Sequence, residues 1–151
     1  CCTARMIYGI GTDILRLDRV AGVFDRYGDR FVQRLLLPEE YKLFALSKNP
    51  VRFLAMRFAA KEAIVKAMGT GFSNGMWIRD CGTTPDRLGK PEIIFSARGH
   101  AKCEELGICG GHLTLTDEAG LVVAFAVLER SSVDSSIADS SISDGSMADK
   151  T

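Results

Sequence analysis

Hydrophobic and polar positions change their period several times along the chain, and each change marks an element. Residues 7–14, IYGIGTDI, read as a short strand carrying two glycines. Residues 16–28, RLDRVAGVFDRYG, read as a helix ended by Gly28. Pro38, with Glu39 and Glu40, opens another helix, PEEYKLFALS. Pro50 opens the third and longest, which runs to about Gly69. GTGFSNG at 69–75 is a glycine-rich loop. GMWIRDCGTT reads as a strand, and RLGKPEIIFS as a turn into a strand, punctuated by Gly89 and Pro91. SARGHAKCEELG, 96–107, is a fourth helix ended by Gly107. The rest is a hairpin: alternating residues at 112–117, a turn at DEAG, then the apolar strand GLVVAFAVL. Helices cluster early and antiparallel strands late, so the expected class is α+β. No repeat occurs within the domain.

Length and composition narrow this to one domain. The chain has 151 residues, 46% of them hydrophobic and 25% charged, a globular balance. The longest apolar run, at 120–128, is far too short to cross a membrane. Asp13, Arg16, Asp18 and Arg19 interrupt any signal-type apolar core near the N-terminus, so a cytoplasmic protein is expected. The five cysteines include no CxxC pair and are odd in number, which argues for reduced thiols. Net charge is zero but uneven: residues 131–151 carry four aspartates and one lysine, leaving +3 on the remainder. That Ser- and Asp-rich tail holds too little bulk to offset its ordering entropy. It is expected to be disordered, with the domain spanning 6–130.

The long helix keeps charges where an ordinary core helix would lose them. Phe53, Leu54, Phe58, Ile64, Val65 and Met68 fill one broad side. Ala55, Ala59, Ala63 and Ala67 form a ladder of small residues at which another backbone could approach closely. Arg57 and Lys61 fall inside the apolar sector, with Glu62 and Lys66 at its margin. A stabilising pair between Glu62 and Lys66, about 0.3–0.5 kcal/mol, accounts for those two alone. Buried charge is costly unless paired or bound, so Arg57 and Lys61 need partners. Lys61 suits either a structural ion pair or a neighbouring subunit. Asp13 is equally out of place in an apolar strand, unless it caps a turn or the next helix. Taken with Glu62, it offers two oxygen donors, enough for Mg²⁺ when substrate phosphates and waters complete the shell. Lys66, one turn from Glu62, could then hold a phosphate, and the amides of the following GTG could approach further phosphate oxygens. No Walker A loop is present.

Four ordered blocks resemble the holo-acyl-carrier-protein synthases, the small 4'-phosphopantetheinyl transferases of bacterial fatty-acid synthesis. They are GIGTDI, RFLAMRFAAKEAIVKAMGTG, LGKP and HLTLTDE…VVAFAVLE, which together span essentially residues 6–130. The resemblance implies an antiparallel sheet packed around the long helix, and a homotrimer with its active sites between subunits. It implies Mg²⁺-dependent transfer from coenzyme A to a serine of apo-acyl carrier protein, yielding adenosine 3',5'-bisphosphate. Asp13 and Glu62 would ligate the metal and Lys66 would contact the transferring phosphate. Arg57, Gly69, Gly71, Lys90 and Pro91 would surround the coenzyme. The serine proton would pass to a base directly or through a metal-bound water. Many family members have a histidine where this chain has Asp117, which is thus either a catalytic-site residue that orients a water or coenzyme group, or a plain hairpin-turn acid. His100 and His112 do not match that histidine and read as ordinary structural or surface residues.

An acidic carrier needs a basic face. Arg19 and Arg26 lie i,i+7 on the first helix, and Arg30 extends the row if that helix continues past Gly28. The resemblance implies carrier docking on these arginines, and a solvated, salt-bridged surface is the alternative. A domain charge of only +3 without an aromatic-interleaved basic stripe speaks against nucleic acid.

Overall fold

The computed structural model describes residues 4–132. Strand β1 (Arg5–Arg16) leads into α1 (Leu17–Tyr27), α2 (Asp29–Leu35), α3 (Pro38–Phe44) and the long α4 (Pro50–Met68). The hairpin β2 (Cys81–Pro85) and β3 (Pro91–Phe95) follows, then α5 (Ala97–Leu106) and the hairpin β4 (Ile108–Glu118) and β5 (Leu121–Ser131). The main sheet is antiparallel with order β1-β5-β4, and β2-β3 form a separate two-stranded sheet. The α+β expectation holds, with the sheet divided in two. Of the tail, only Ser131 and Ser132 fall within the described residues. No described helix is long and apolar enough to cross a membrane.

Helix α4 is the axis of the molecule because almost every side of it is covered. Asn49 caps its first turn by accepting from the Arg52 N–H at 3.1 Å, and Pro50 presets its first residue. Leu54, Ala55, Ala59, Ala63, Ile64 and Val65 are fully buried. They face Val122, Ala124, Ala126, Leu128 and Leu113 of the main sheet in one contiguous core. The alanine ladder receives the backbone that its small size anticipates. A Cβ built on Gly11 would stand 2.1 Å from the Ala63 carbonyl oxygen, and one on Gly9 2.2 Å from that of Ala67. The two glycines of β1 are there so that the strand can lie directly on the helix.

The first helix ends at Gly28 as read from the sequence; the backbone there (φ 50°, ψ −130°) breaks the chain direction, so the condition under which Arg30 would extend the arginine row is not met and Arg30 sits on a separate helix, α2. Three local readings need correction. Only Cys81–Pro85 of the expected strand at 75–84 is extended. Before it, the Asp80 carboxylate accepts from the Trp77 N–H at 2.7 Å and the Asp80 N–H bonds back to the Trp77 carbonyl, closing a turn. The hairpin turn is Ala119-Gly120, both with positive φ, rather than a loop at 117–120. Asp117 therefore lies inside β4, paired in register with Val122, and is no turn acid.

Candidate active site

Two polar groups stand on different stretches of α4. The first joins the helix's C-terminal half to β1. Asp13 lies in mid-strand opposite Ala124, and α1 is capped at Arg16, so Asp13 caps nothing. Its carboxylate accepts from the Lys66 ammonium at 2.9 Å, and the same ammonium donates to the Thr12 carbonyl at 3.0 Å. Lys66 thus reaches across to β1 instead of pairing with Glu62. Burial pushes the Glu62 carboxyl above its ordinary range, the negative charge of Asp13 pushes it further, and Lys66 opposes both. Asp13 and Glu62 line one cavity of about 390 Å³ with Arg19, Ile14, Leu15, Val20, Val23, Phe31 and Phe58.

The second group lies toward the other end of the helix. Arg57 rests over the Phe53 ring, its guanidinium carbon 4.2 Å from the centroid, and burial lowers its pKa. It shares a cavity of about 290 Å³ with Arg52, Thr83, Gly89, Pro91 and Thr114. Two hydrogen bonds, 2.7 and 2.8 Å, tie Arg52 to Asp117 and hold the Asp117 carboxyl below its ordinary range. Asp117 thus belongs with the Arg52–Arg57 cavity and not with Asp13. Arg52 and Lys66 are fourteen residues apart on one helix, roughly 21 Å. Lys90 closes the turn beside Pro91, its N–H bonding to the Asp86 carboxylate at 2.9 Å.

Gly69 and Gly71 differ from expectation. Both have positive φ, but their N–H groups, and that of Thr70, are spent on the last carbonyls of α4 at Val65 and Lys66. These amides cap the helix and are not free to cradle a phosphate. Sequence reasoning also missed Glu40, Arg52 and Thr83. Glu40 is fully buried and pairs with Lys61 at 2.9 Å, which settles Lys61 as part of a structural ion pair within the chain. Two cations in an apolar sector signalled that a buried acid was needed, but nothing local singled out Glu40.

The arginines of the first helices divide. Arg19 lines the Asp13–Glu62 cavity, while Arg30 lines a second hollow with Arg34, Val23, Tyr27 and Phe31. Val23 and Phe31 border both hollows, so an apolar floor with arginine edges leads away from the two carboxylates. Arg26 stacks over Tyr27, 5.4 Å from its centroid.

Comparison with known proteins places this geometry in a class. The sequence profile of the 4'-phosphopantetheinyl transferase superfamily matches residues 9–126, and the chain belongs to that superfamily and is a transferase. Within it the similarity is to the holo-[acyl-carrier-protein] synthases. The one from Nitrosospira multiformis is 45% identical over 125 residues, covering 83% of this chain and all of that protein. The crystal structure of the Neisseria meningitidis synthase superposes with a TM-score of 0.79 at 44% identity, over 83% of this chain and 100% of that one. The Helicobacter pylori synthase in complex with coenzyme A gives 0.70 at 27%, over 79% and 98% of the two chains.

Proposed function

We propose that this chain transfers the 4'-phosphopantetheine group of coenzyme A to a serine of apo-acyl carrier protein, in the cytoplasm and in the service of fatty-acid synthesis. The observation that carries this reading is the convergence of Asp13 and Glu62, from β1 and α4, on one cavity with Lys66 beside them. In the reaction the serine oxygen forms a bond to the phosphorus that bears pantetheine. The bond from that phosphorus to the bridging oxygen breaks, adenosine 3',5'-bisphosphate leaves with the electron pair, and the serine proton passes to a base. Such chemistry asks mainly for positioning and charge stabilisation.

The donor set fits Mg²⁺. Glu62, whose ionisation burial and the charge of Asp13 make costlier, and Asp13 together present the excess negative charge that a hard divalent cation satisfies, and few protein ligands are needed when phosphates and waters supply the rest. When bound, the ion would neutralise charge on the pyrophosphate. Asp13 and Glu62 would hold it. Lys66 would turn from Asp13 toward the transferring phosphate, and the apolar walls would exclude water. Arg57 and the Lys90–Pro91 turn would hold the coenzyme, with Arg52 and Asp117 at the same cavity. The apolar floor of Val23 and Phe31 shared by the two hollows, with Arg19 on one and Arg30 on the other and Arg26 beside it, would receive the acidic carrier.

Mass spectrometry of apo-carrier incubated with coenzyme A and Mg²⁺ tests the reading: a phosphopantetheine mass gain is expected. Glu62→Gln and Asp13→Asn should each lower turnover by about a thousandfold, about 4 kcal/mol of transition-state stabilisation, with the melting temperature kept. Full activity in either would sink the metal assignment, and no mass gain in the parent would favour a module that only binds.

The reading includes a homotrimer with sites completed between subunits. Its support is the outer face of the main sheet, where Ile10, Ile14 and Phe125 are 61%, 62% and 41% exposed. The separation of the Asp13–Glu62 and Arg52–Arg57 groups along one helix favours it too. Mixing Glu62→Gln with Arg57→Met chains should recover up to about a quarter of parental activity by random assortment. No recovery in demonstrably mixed trimers would place each site within one chain.

A further inference from the structure

One carboxylate and two cations are packed where α3, α4 and β2 meet. Glu40 Oε2 accepts from the Leu37 N–H and from Lys61 Nζ, both at 2.9 Å. Its Oε1 accepts from the Thr83 N–H at 2.9 Å and stands 3.7 Å from Arg57 Nε. Lys61 donates in addition to the Cys81 carbonyl. Glu40 and Lys61 are both fully buried. Gly82 lies so close beneath the acid that a Cβ there would come within 2.5 Å of Oε1. Glu40 is therefore fixed from every side, and both it and Lys61 are closed off from solvent.

The charge count is uneven. Lys61 takes the close contact with Glu40 and neutralises it. Arg57 keeps only the longer contact, and its buried Nε has no hydrogen-bond partner. A buried ionic cluster that served packing alone would be expected to match its charges, since an unpaired buried cation is costly. Were Lys61 absent, Arg57 could close fully on Glu40 and withdraw from the Arg52–Arg57 cavity. Thr83, on the wall of that cavity and tied to Glu40 through its N–H, has a buried hydroxyl that is likewise without a partner. The two buried side-chain polar atoms without a hydrogen-bond partner among the described residues thus belong to residues of one cavity.

We propose that Glu40 and Lys61 are positioning residues that hold Arg57 against this cavity with its Nε lacking a hydrogen-bond partner and its charge only loosely matched, so that an anionic group of the coenzyme completes the guanidinium. The proposal rests on the reading that Arg57 binds coenzyme, and it adds how that residue is kept available.

The test compares three variants by steady-state kinetics with coenzyme A, and by calorimetric titration with adenosine 3',5'-bisphosphate. Glu40→Gln with Lys61→Met removes both buried charges together and should melt near the parent. It should raise KM for coenzyme A by about tenfold while kcat and the carrier KM stay within about twofold. Arg57→Met should raise the same KM at least as much. The triple variant should be no worse than Arg57→Met, because both changes act through one guanidinium. Should the double variant fail to fold, Glu40→Asp, which keeps the charge but draws the carboxylate back, should show a smaller KM rise at a near-parental melting temperature. A parental KM in the double variant, or in a folded Glu40→Asp, would overturn the brace. A triple variant carrying the full product of the separate effects would do the same. An unchanged KM in Arg57→Met would instead overturn the coenzyme reading of the cavity, and the brace with it.

Discussion

Helix α4 carries two acid–base groups that solve opposite problems. At Asp13, Glu62 and Lys66 there is one cation for two carboxylates, the Lys66 side chain is 49% exposed, and the group opens on a large cavity. At Glu40, Lys61 and Arg57 there are two cations for one carboxylate, and Glu40 and Lys61 are sealed from solvent. The open group carries an excess of negative charge. The sealed one is short of an anion. On the proposed reading, a coenzyme pyrophosphate together with Mg²⁺ would offer both signs of charge, and a transferase would gain from keeping both imbalances. The cost of each imbalance should then appear in a different measurement.

The largest effect should come from breaking the sealed group. Glu40→Ala leaves Lys61 without its carboxylate and the Leu37 and Thr83 N–H groups without acceptors. It should cost about 3–5 kcal/mol in denaturant unfolding. Glu62→Gln at the open group should cost almost nothing in the same experiment while removing activity. If Glu40→Ala unfolds at the parental midpoint, the buried network is not what joins α3 to α4 and β2.

Next comes the contact that places the open group. Gly11→Ala would drive a methyl into the Ala63 carbonyl, where no flexible side chain can yield. Moving β1 off the helix should cost about 1–3 kcal/mol. It should also cost activity, since Asp13 is two residues along the same strand and would draw away from Lys66. Gly22→Ala, at a glycine with open space around it, is the control, and urea melts with turnover assays read both effects. A Gly11→Ala chain as active as the parent would show that the strand's seating does not set the site.

How much of this could be read beforehand follows from range. The alanine ladder, the two strand glycines and the misplaced charges of α4 were visible because each is a local pattern with a physical cost. Lys66's choice of Asp13 over Glu62 was not, since helical spacing describes neighbours on α4 but not the strand laid across it. Glu40 was hidden for a related reason. In sequence it is an ordinary acid in the first turn after Pro38, and its N-terminal position explains it completely until α3 is packed on α4. Likewise the GTG amides look free in sequence and become helix caps only once the left-handed backbone of Gly69 is formed. Asp117 looked like a turn acid because DEAG has turn composition, yet pairing with β5 continues through Glu118. Non-local packing decided each of these.

The finest distinction, between the open group and the Arg52–Asp117 pair nearer the start of α4, is the sign of their response to pH. Glu62's carboxyl is held above its ordinary range, so the folded state favours its protonated form. Its ionisation therefore costs stability progressively as pH rises from the ordinary carboxylate value to the raised one, and the cost persists above that. Asp117 is the reverse: Arg52 holds its carboxyl below the ordinary range. Its contribution is complete above the ordinary carboxylate value and is lost as pH falls through the lowered one. In chelating buffer without divalent cations, Glu62→Gln should melt slightly above the parent at neutral pH, with the difference vanishing toward acid. Asp117→Asn should melt slightly below the parent at neutral pH, and that difference should also vanish toward acid. Both shifts should lie within a few degrees. Mg²⁺ should then reverse only the first, since stabilisation by the ion requires the carboxylate that Glu62→Gln removes. If Mg²⁺ raises the melting temperature of Glu62→Gln as much as that of the parent, the open group is not where the cation binds. Its acid excess would then need another explanation.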